Sequence, residues 1–201
     1  LGILTGVFTN VLAVFATVVI SFYLVLERPR LPGSIAHLVG NEKLTDKINN
    51  VIVEIEHELG GWVRAQLLLM VIVGAFSYIG FIILQLPHAL PLAIVSGFME
   101  LIPNIGPTIS TIPAALSGFS VSIWHGVGAI CWCFIVQWLE NNLIVPTVMS
   151  RSAGVQPLIT IISLIIGFTI AGVPGAVLAV PGVIVIRNLL ENFVYKKTPE
   201  S

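Results

Sequence analysis

Gln137, Glu140 and Asn141 stand at i, i+3 and i+4, which gathers one carboxyl and two amides on a single helical face, with Asn142 next along the chain. Such a set coordinates a desolvated cation, or hydrogen-bonds a polyhydroxy solute while the carboxyl takes and returns a proton. A second carboxyl, Glu100, opens the run Glu100-Leu101-Ile102-Pro103-Asn104-Ile105-Gly106-Pro107. Pro103 and Pro107 lack backbone donors, so the carbonyls those donors would engage are left free, and Gly106 admits backbone conformations that other residues avoid. Free carbonyls and helix ends at membrane depth are how solute and ion sites are built within lipid. Each carboxyl also has a plainer reading. Glu140 would be part of an interhelical polar clasp at the membrane boundary beside Arg151, and Glu100 would pair with a charge upstream of this chain.

The elements that must position these groups are almost free of charge. Between Ala65 and Ile186 the charged side chains are Glu100, Glu140 and Arg151 alone. Apolar residues make up 56% of the chain and charged residues 9%, against about 25% charged in soluble domains. Mean hydropathy is +1.01. A carboxyl at membrane depth costs about 2.5–3.5 kcal/mol on insertion scales, so those present mark a pathway or a proton relay. The expected fold is all-α, a polytopic integral membrane protein with transmembrane helices and broken or re-entrant helices, and the lipid bilayer is its first partner. A net charge of −1 offers no basic surface for nucleic acid. Cys131 and Cys133 lie in an apolar helix and read as buried thiols. The four histidines form no metal-binding spacing, and no nucleophile stands at a recognisable distance from a base. Neither a metal nor a cofactor nor an enzymatic reaction is expected.

Residues 1–26 form one apolar run long enough to cross a hydrocarbon core. No basic segment precedes it and position 1 is Leu, so the chain reads as a fragment with an upstream part missing. Residues 27–64 form a water-loving region in which Leu44, Ile48, Ile52, Ile55 and Leu59 recur at three- and four-residue steps. That pattern predicts an amphipathic helix, either on the membrane surface or packed on the protein, ended by Gly60-Gly61. Residues 65–195 are the transmembrane core and 196–201 a tail. Within the core, 65–86 is a clear span. The stretch 88–119, broken by Pro91, Pro103, Gly106, Pro107 and Pro113, predicts a re-entrant hairpin with its tip near Asn104-Ile105-Gly106. Residues 121–139 are the next span, departing from helix towards Pro146; residues 155–169 are another apolar segment, with Pro157 near its start. Gly172 follows, and Pro181-Gly182 is expected to interrupt the last one. Lys and Arg cluster around the 27–64 region and at Lys196-Lys197, which places both in the cytoplasm.

Four motifs, in this order and spacing, resemble the bacterial autoinducer-2 exporter family of transporters over nearly the whole chain. They are Glu100 to Pro107 with Ile112-Pro113-Ala114; Gln137-x-x-Glu140-x-Asn142-x-x-x-Pro146; Arg151-Ser152-x-Gly154-x-x-Pro157; and Gly172-x-x-Gly175-x-x-x-Ala179-x-Pro181. Gly60-Gly61-Trp62-x-Arg64-x-Gln66 looks like the family's entry to its central spans. Asn104 stands where the family usually has an aromatic, Thr147 where Lys is common and Gln156 where His is common. The resemblance implies a longer parent and a multi-pass secondary transporter of the bacterial inner (plasma) membrane, assembled as a homo-oligomer. It implies either export of a small hydrophilic solute of the autoinducer-2 kind or sodium (lithium)/proton antiport.

The residues expected to line the pathway are Glu100, Asn104, Gln137, Glu140, Asn141 and Asn142, with proton or sodium coupling at the two carboxyls. Pro103, Gly106, Pro107, Pro113, Pro146, Pro157, Gly172 and Pro181 are expected to shape the backbone. The competing class is a non-transporting membrane scaffold or assembly partner that works through the 27–64 helix.

Overall fold

The computed structural model describes residues 41–103, 106–149 and 157–193. The expected span 1–26, the start of the 27–64 region, Asn104, Arg151 and the 196–201 tail lie outside the described residues. Every regular element among the described residues is helical: α1 Glu42–Ile83, α2 Ala89–Met99, α3 Gly106–Val121, α4 Ile123–Leu139, a π-helical turn Glu140–Ile144, α5 Val145–Met149 and α6 Pro157–Phe193. The chain divides into two compact units after Ile52. The described part of the first is the start of α1, where the Asn41 side chain accepts from the Leu44 N–H at 3.4 Å and so satisfies one of the orphan donors of a helix start. The second unit, from Val53, carries everything that follows.

Gly60-Gly61 does not end the amphipathic helix. α1 runs unbroken through both glycines into the apolar span. Two interior glycines cost about 2 kcal/mol in helix propensity, and tertiary contacts offset this. Glu54 accepts from Asn192 Nδ2 at 3.1 Å, and Glu58 accepts from Asn188 Nδ2 at 2.9 Å and from Arg187 at 2.6 Å. One turn further, Trp62 is buried against Val180 and Ile184. Bonds of this kind are each worth about 1 kcal/mol or more, so packing against α6 outweighs the local preference. Substituting Gly60→Ala would add a methyl whose nearest neighbours are Arg64 side-chain atoms at 3.7 Å or more, ordinary contact. Gly60→Ala should therefore raise stability by about 0.5–1 kcal/mol, seen as a higher thermal midpoint of the protein in detergent.

α1 stops in a Schellman arrangement. Leu86 N–H donates to Phe81 O at 2.9 Å and Gln85 N–H to Ile82 O at 2.9 Å, with Gln85 left-handed at φ 49. Leu86 and Phe81 pack in the same buried cluster, the apolar contact that usually accompanies this cap. The chain reverses into α2, whose Gly97 lies against the Met70 and Gly74 backbone of α1. Small residues let helices approach this closely where no hydrophobic force drives them together.

α2 and α3 form the expected helical hairpin: they pack on each other, as α3 does on α4. By length α2 reaches about 16 Å and α3 about 24 Å, each short of a hydrocarbon core of about 30 Å. Pro107 sits in the first turn of α3, where its missing N–H costs nothing, and Pro113 lies inside the helix. Ser122 begins α4 by accepting from the His125 N–H at 3.4 Å.

The expected departure at Asn142–Pro146 takes a milder form. α4 widens into the π-helical turn, in which Val145 N–H donates to Glu140 O, five residues back, and α5 carries Pro146 onward. Pro146 has no N–H to continue the α register, so the chain absorbs one extra residue per turn there instead of breaking.

Among the described residues three helical stretches are long and apolar enough to cross a membrane: Lys43–Ile83, Ile123–Met149 and Leu158–Phe193. The third is not one rod. Ala171 and Gly172 leave helical geometry, Gly172 at φ 63 and ψ −142, a conformation open to glycine. A methyl group on Gly167 or Gly175 would overlap the carbonyl of the other, which requires the chain to reverse between them. α6 is a second hairpin, with arms 157–170 and 173–193. The first arm reaches about 21 Å, too short to cross alone. The reversal sits at Gly172, while Pro181, expected as an interruption, is carried inside the second arm. The two hairpins meet where Ile102 packs on Leu164, Ala176 and Ala179.

Candidate functional site

The π-helical turn and the tip of the first hairpin bring the two carboxyls together. Glu100 is the C-cap of α2, its N–H donating to the carbonyls of α2's last turn. Glu140 opens the π-helical turn. Their side chains face each other within hydrogen-bonding reach. Glu100 is 1% exposed and Glu140 3%, so the pair is sealed from solvent and lipid alike. An ionised carboxylate only accepts hydrogen bonds, so a bond between two carboxyls requires that one of them hold a proton.

A third residue completes the group. Gln66, 2% exposed, donates from Nε2 to the Glu100 carbonyl oxygen at 2.6 Å. Its Oε1 has no partner, nor do Glu100 Oε2 and Glu140 Oε2. Three buried oxygens on adjoining residues therefore lack donors. Buried polar atoms are paired in the great majority of cases, and an unpaired one needs an explanation such as a functional role or a bound ion. An oxygen-only set of this kind suits a proton or a hard monovalent cation.

The other expected residues are placed differently. Gln137 lies one turn before Glu140 and is partly buried. Asn141 and Asn142 are exposed, and Asn142 Nδ2 is spent on the Trp138 carbonyl of its own helix at 2.8 Å. Pro103 is half-buried in the tip, and Gly106 and Pro107 are buried at the start of α3. Gln66 was named only within a motif, not as a pathway residue. The sign that marks it is its type, the lone amide in the apolar run 65–84.

The shape of the site is thus a carboxyl pair on two broken elements, buttressed by an amide on a continuous one.

Comparison with known proteins gives the same family as the motifs. A sequence-family model described as "AI-2E family transporter" matches residues 1–195. YueF of Bacillus subtilis (strain 168), named as a transport protein, is 33% identical over 190 residues, covering 94% of this chain and 51% of YueF. YrrI of the same organism, also named as a transport protein, is 32% identical over 145 residues, covering 72% of this chain and 41% of YrrI. PerM of Escherichia coli (strain K12), named as a permease, is 27% identical over 196 residues, covering 94% of this chain and 54% of PerM. The chain spans about half the length of these relatives, and their names state no substrate.

Proposed function

This chain belongs to the AI-2E transporter family, and from that premise we propose that it is the core of a proton-coupled secondary transporter of the bacterial inner membrane. Its substrate is a small hydrophilic solute of the autoinducer-2 kind, moved outward. The observation that carries the reading is the buried Glu100–Glu140 pair with Gln66. A carboxyl pair that holds a proton at rest, on elements that are helical hairpins and π-turns and not rigid rods, is a device for taking up a proton on one face and releasing it on the other. Alternating access moves the broken elements against the regular spans. The many exposed apolar side chains, Val71, Phe98 and Ile112 among them, suit lipid or further copies of the same chain.

A second reading, sodium (lithium)/proton antiport, is favoured by the three unpartnered oxygens of Gln66, Glu100 and Glu140. They are acceptors that a cation would satisfy at the moment the pair gives up its proton. The complete protein in liposomes with an internal pH dye separates these readings. Proton movement driven by an outward solute gradient supports solute export. Proton movement that follows added sodium or lithium supports antiport. No response to either in folded protein sinks both and leaves the scaffold class.

A further inference from the structure

Residues 54, 58, 62 and 66 of α1 advance by four, so Glu54, Glu58, Trp62 and Gln66 lie on one helical face. The second arm of α6 answers step for step in reverse. Asn192 bonds Glu54, Asn188 bonds Glu58, and Ile184 and Val180 pack on Trp62. The next position on α1 is Gln66, bonded to Glu100. This antiparallel seam leads from the charged end of α1 to the carboxyl pair, with polar residues at both ends and one aromatic plug between. Trp62 is 6% exposed, and Leu59 and Met149 pack against the cluster it forms with Val180 and Ile184.

The latch at the outer end is incompletely bonded. Arg187 pairs with Glu58 at 2.6 Å and lies 3.9 Å from Glu191. That longer contact is made by its Nε, which has no hydrogen bond, and Oδ1 of Asn188, a residue only 1% exposed, has no partner either. Buried polar atoms in a purely structural clasp are paired in the great majority of cases. Here the closed arrangement leaves the Asn188 acceptor unmet and holds Arg187 Nε only by a long ion pair, and water entering on separation satisfies the acceptor. Meeting that acceptor offsets part of the cost of separation, which is what a two-state element needs.

We infer that the seam between α1 and the second arm of α6 is the gated access route to the carboxyl pair. The Glu58–Arg187–Asn188 latch is its outer closure and Trp62 its plug. The inference rests on the transport reading above and adds the path by which a proton or cation reaches Glu100 and Glu140. Glu54 and Glu58 at the mouth favour positive charge over negative.

The test uses the complete protein with Cys131→Ser and Cys133→Ser, to which Glu54→Cys and Asn192→Cys are added. A short bifunctional methanethiosulfonate, cleavable by reductant, bridges the two introduced thiols across the seam. Bridging should lower flux in liposomes tenfold or more, and reductant should restore it. Unchanged flux with complete bridging overturns the gate, as does a loss that reductant fails to reverse. If the parent protein, with Glu54 and Asn192 in place, moves nothing, the transport reading has failed, and a second readout still decides the gate. Gln66→Cys is exposed to an impermeant thiol reagent from the side of α1's charged end, with and without Arg187→Ala. Labelling at least tenfold faster with Arg187→Ala supports the gate; equal rates overturn it.

Discussion

Glu100→Gln should abolish coupled flux in proteoliposomes while leaving the protein folded and in the membrane, and Glu140→Gln should do the same. Glu100 and Glu140 are buried within hydrogen-bonding reach of each other, and a bond between two carboxyls takes one proton. An amide at position 100 is nearly the same size, and its N–H₂ can donate to the Glu140 carboxylate, so the bond between the two positions survives. A conserved bond of this kind keeps the change in stability to about 1 kcal/mol. What the amide cannot do is release and rebind a proton. Removing a positioned proton-transfer group costs on the order of 10²–10⁴ in rate where this has been resolved in catalysis, enough to bring flux down to that of empty liposomes. Glu100→Leu provides the contrast: it leaves Glu140 buried with no partner, a loss of about 1–3 kcal/mol if that carboxyl stays neutral and more if it does not. The leucine variant should melt early, whereas the glutamine variant should melt normally and be silent. Normal coupled flux in Glu100→Gln would remove the pair from the mechanism.

The carboxyl pair was legible in the sequence because charge in an apolar run is conspicuous whatever the fold. So was the first hairpin, since Pro103, Gly106, Pro107 and Pro113 punctuate a stretch whose pieces are too short to span. Pairing the two carboxyls was a different matter. Glu100 and Glu140 stand far apart in the chain, and nothing local says that the π-helical turn will aim one at the other. Gln66 shows the same limit, its bond to the Glu100 carbonyl reaching across 34 positions. Gly60-Gly61 read as a stop because propensity is local, whereas the contacts that carry α1 through are made with Asn188 and Asn192 more than a hundred residues on. Proline misled in both directions. Pro181 is housed in a helix and Pro146 produces a register change, while the sharp reversal falls at Gly172, where a positive φ is needed. In lipid, neighbouring segments re-satisfy the groups a proline frees, so proline marks where a helix is weakened and not where it ends.

Gly106→Ala should silence transport almost as fully as Glu100→Gln, though it removes no polar atom. A methyl group at this position would overlap the Met99 carbonyl and stand 3.1 Å from the Glu100 backbone nitrogen. That carbonyl already accepts from Ile102 N–H at 3.0 Å, and Gly106 N–H donates to Ile102 O at 2.9 Å. Met99 O and Gly106 are thus already held by short bonds, and the obstacle is backbone, which cannot rotate aside as a side chain would. Overfilling a packed site costs about 1–3 kcal/mol when neighbours can adjust, and the adjustment available here is displacement of the peptide that carries Glu100. A shift of about 1 Å in a functional group can cost a hundredfold in rate, and it would separate Glu100 from both Gln66 and Glu140. The two variants differ in the melt: Glu100→Gln is silent and stable, Gly106→Ala silent and destabilised by a few kcal/mol. Thermal midpoint and flux measured on the same preparations give the answer. Should Gly106→Ala melt and transport like the parent, the hairpin tip is not what holds Glu100 in place, and the pair must be positioned by α1 and the π-helical turn alone.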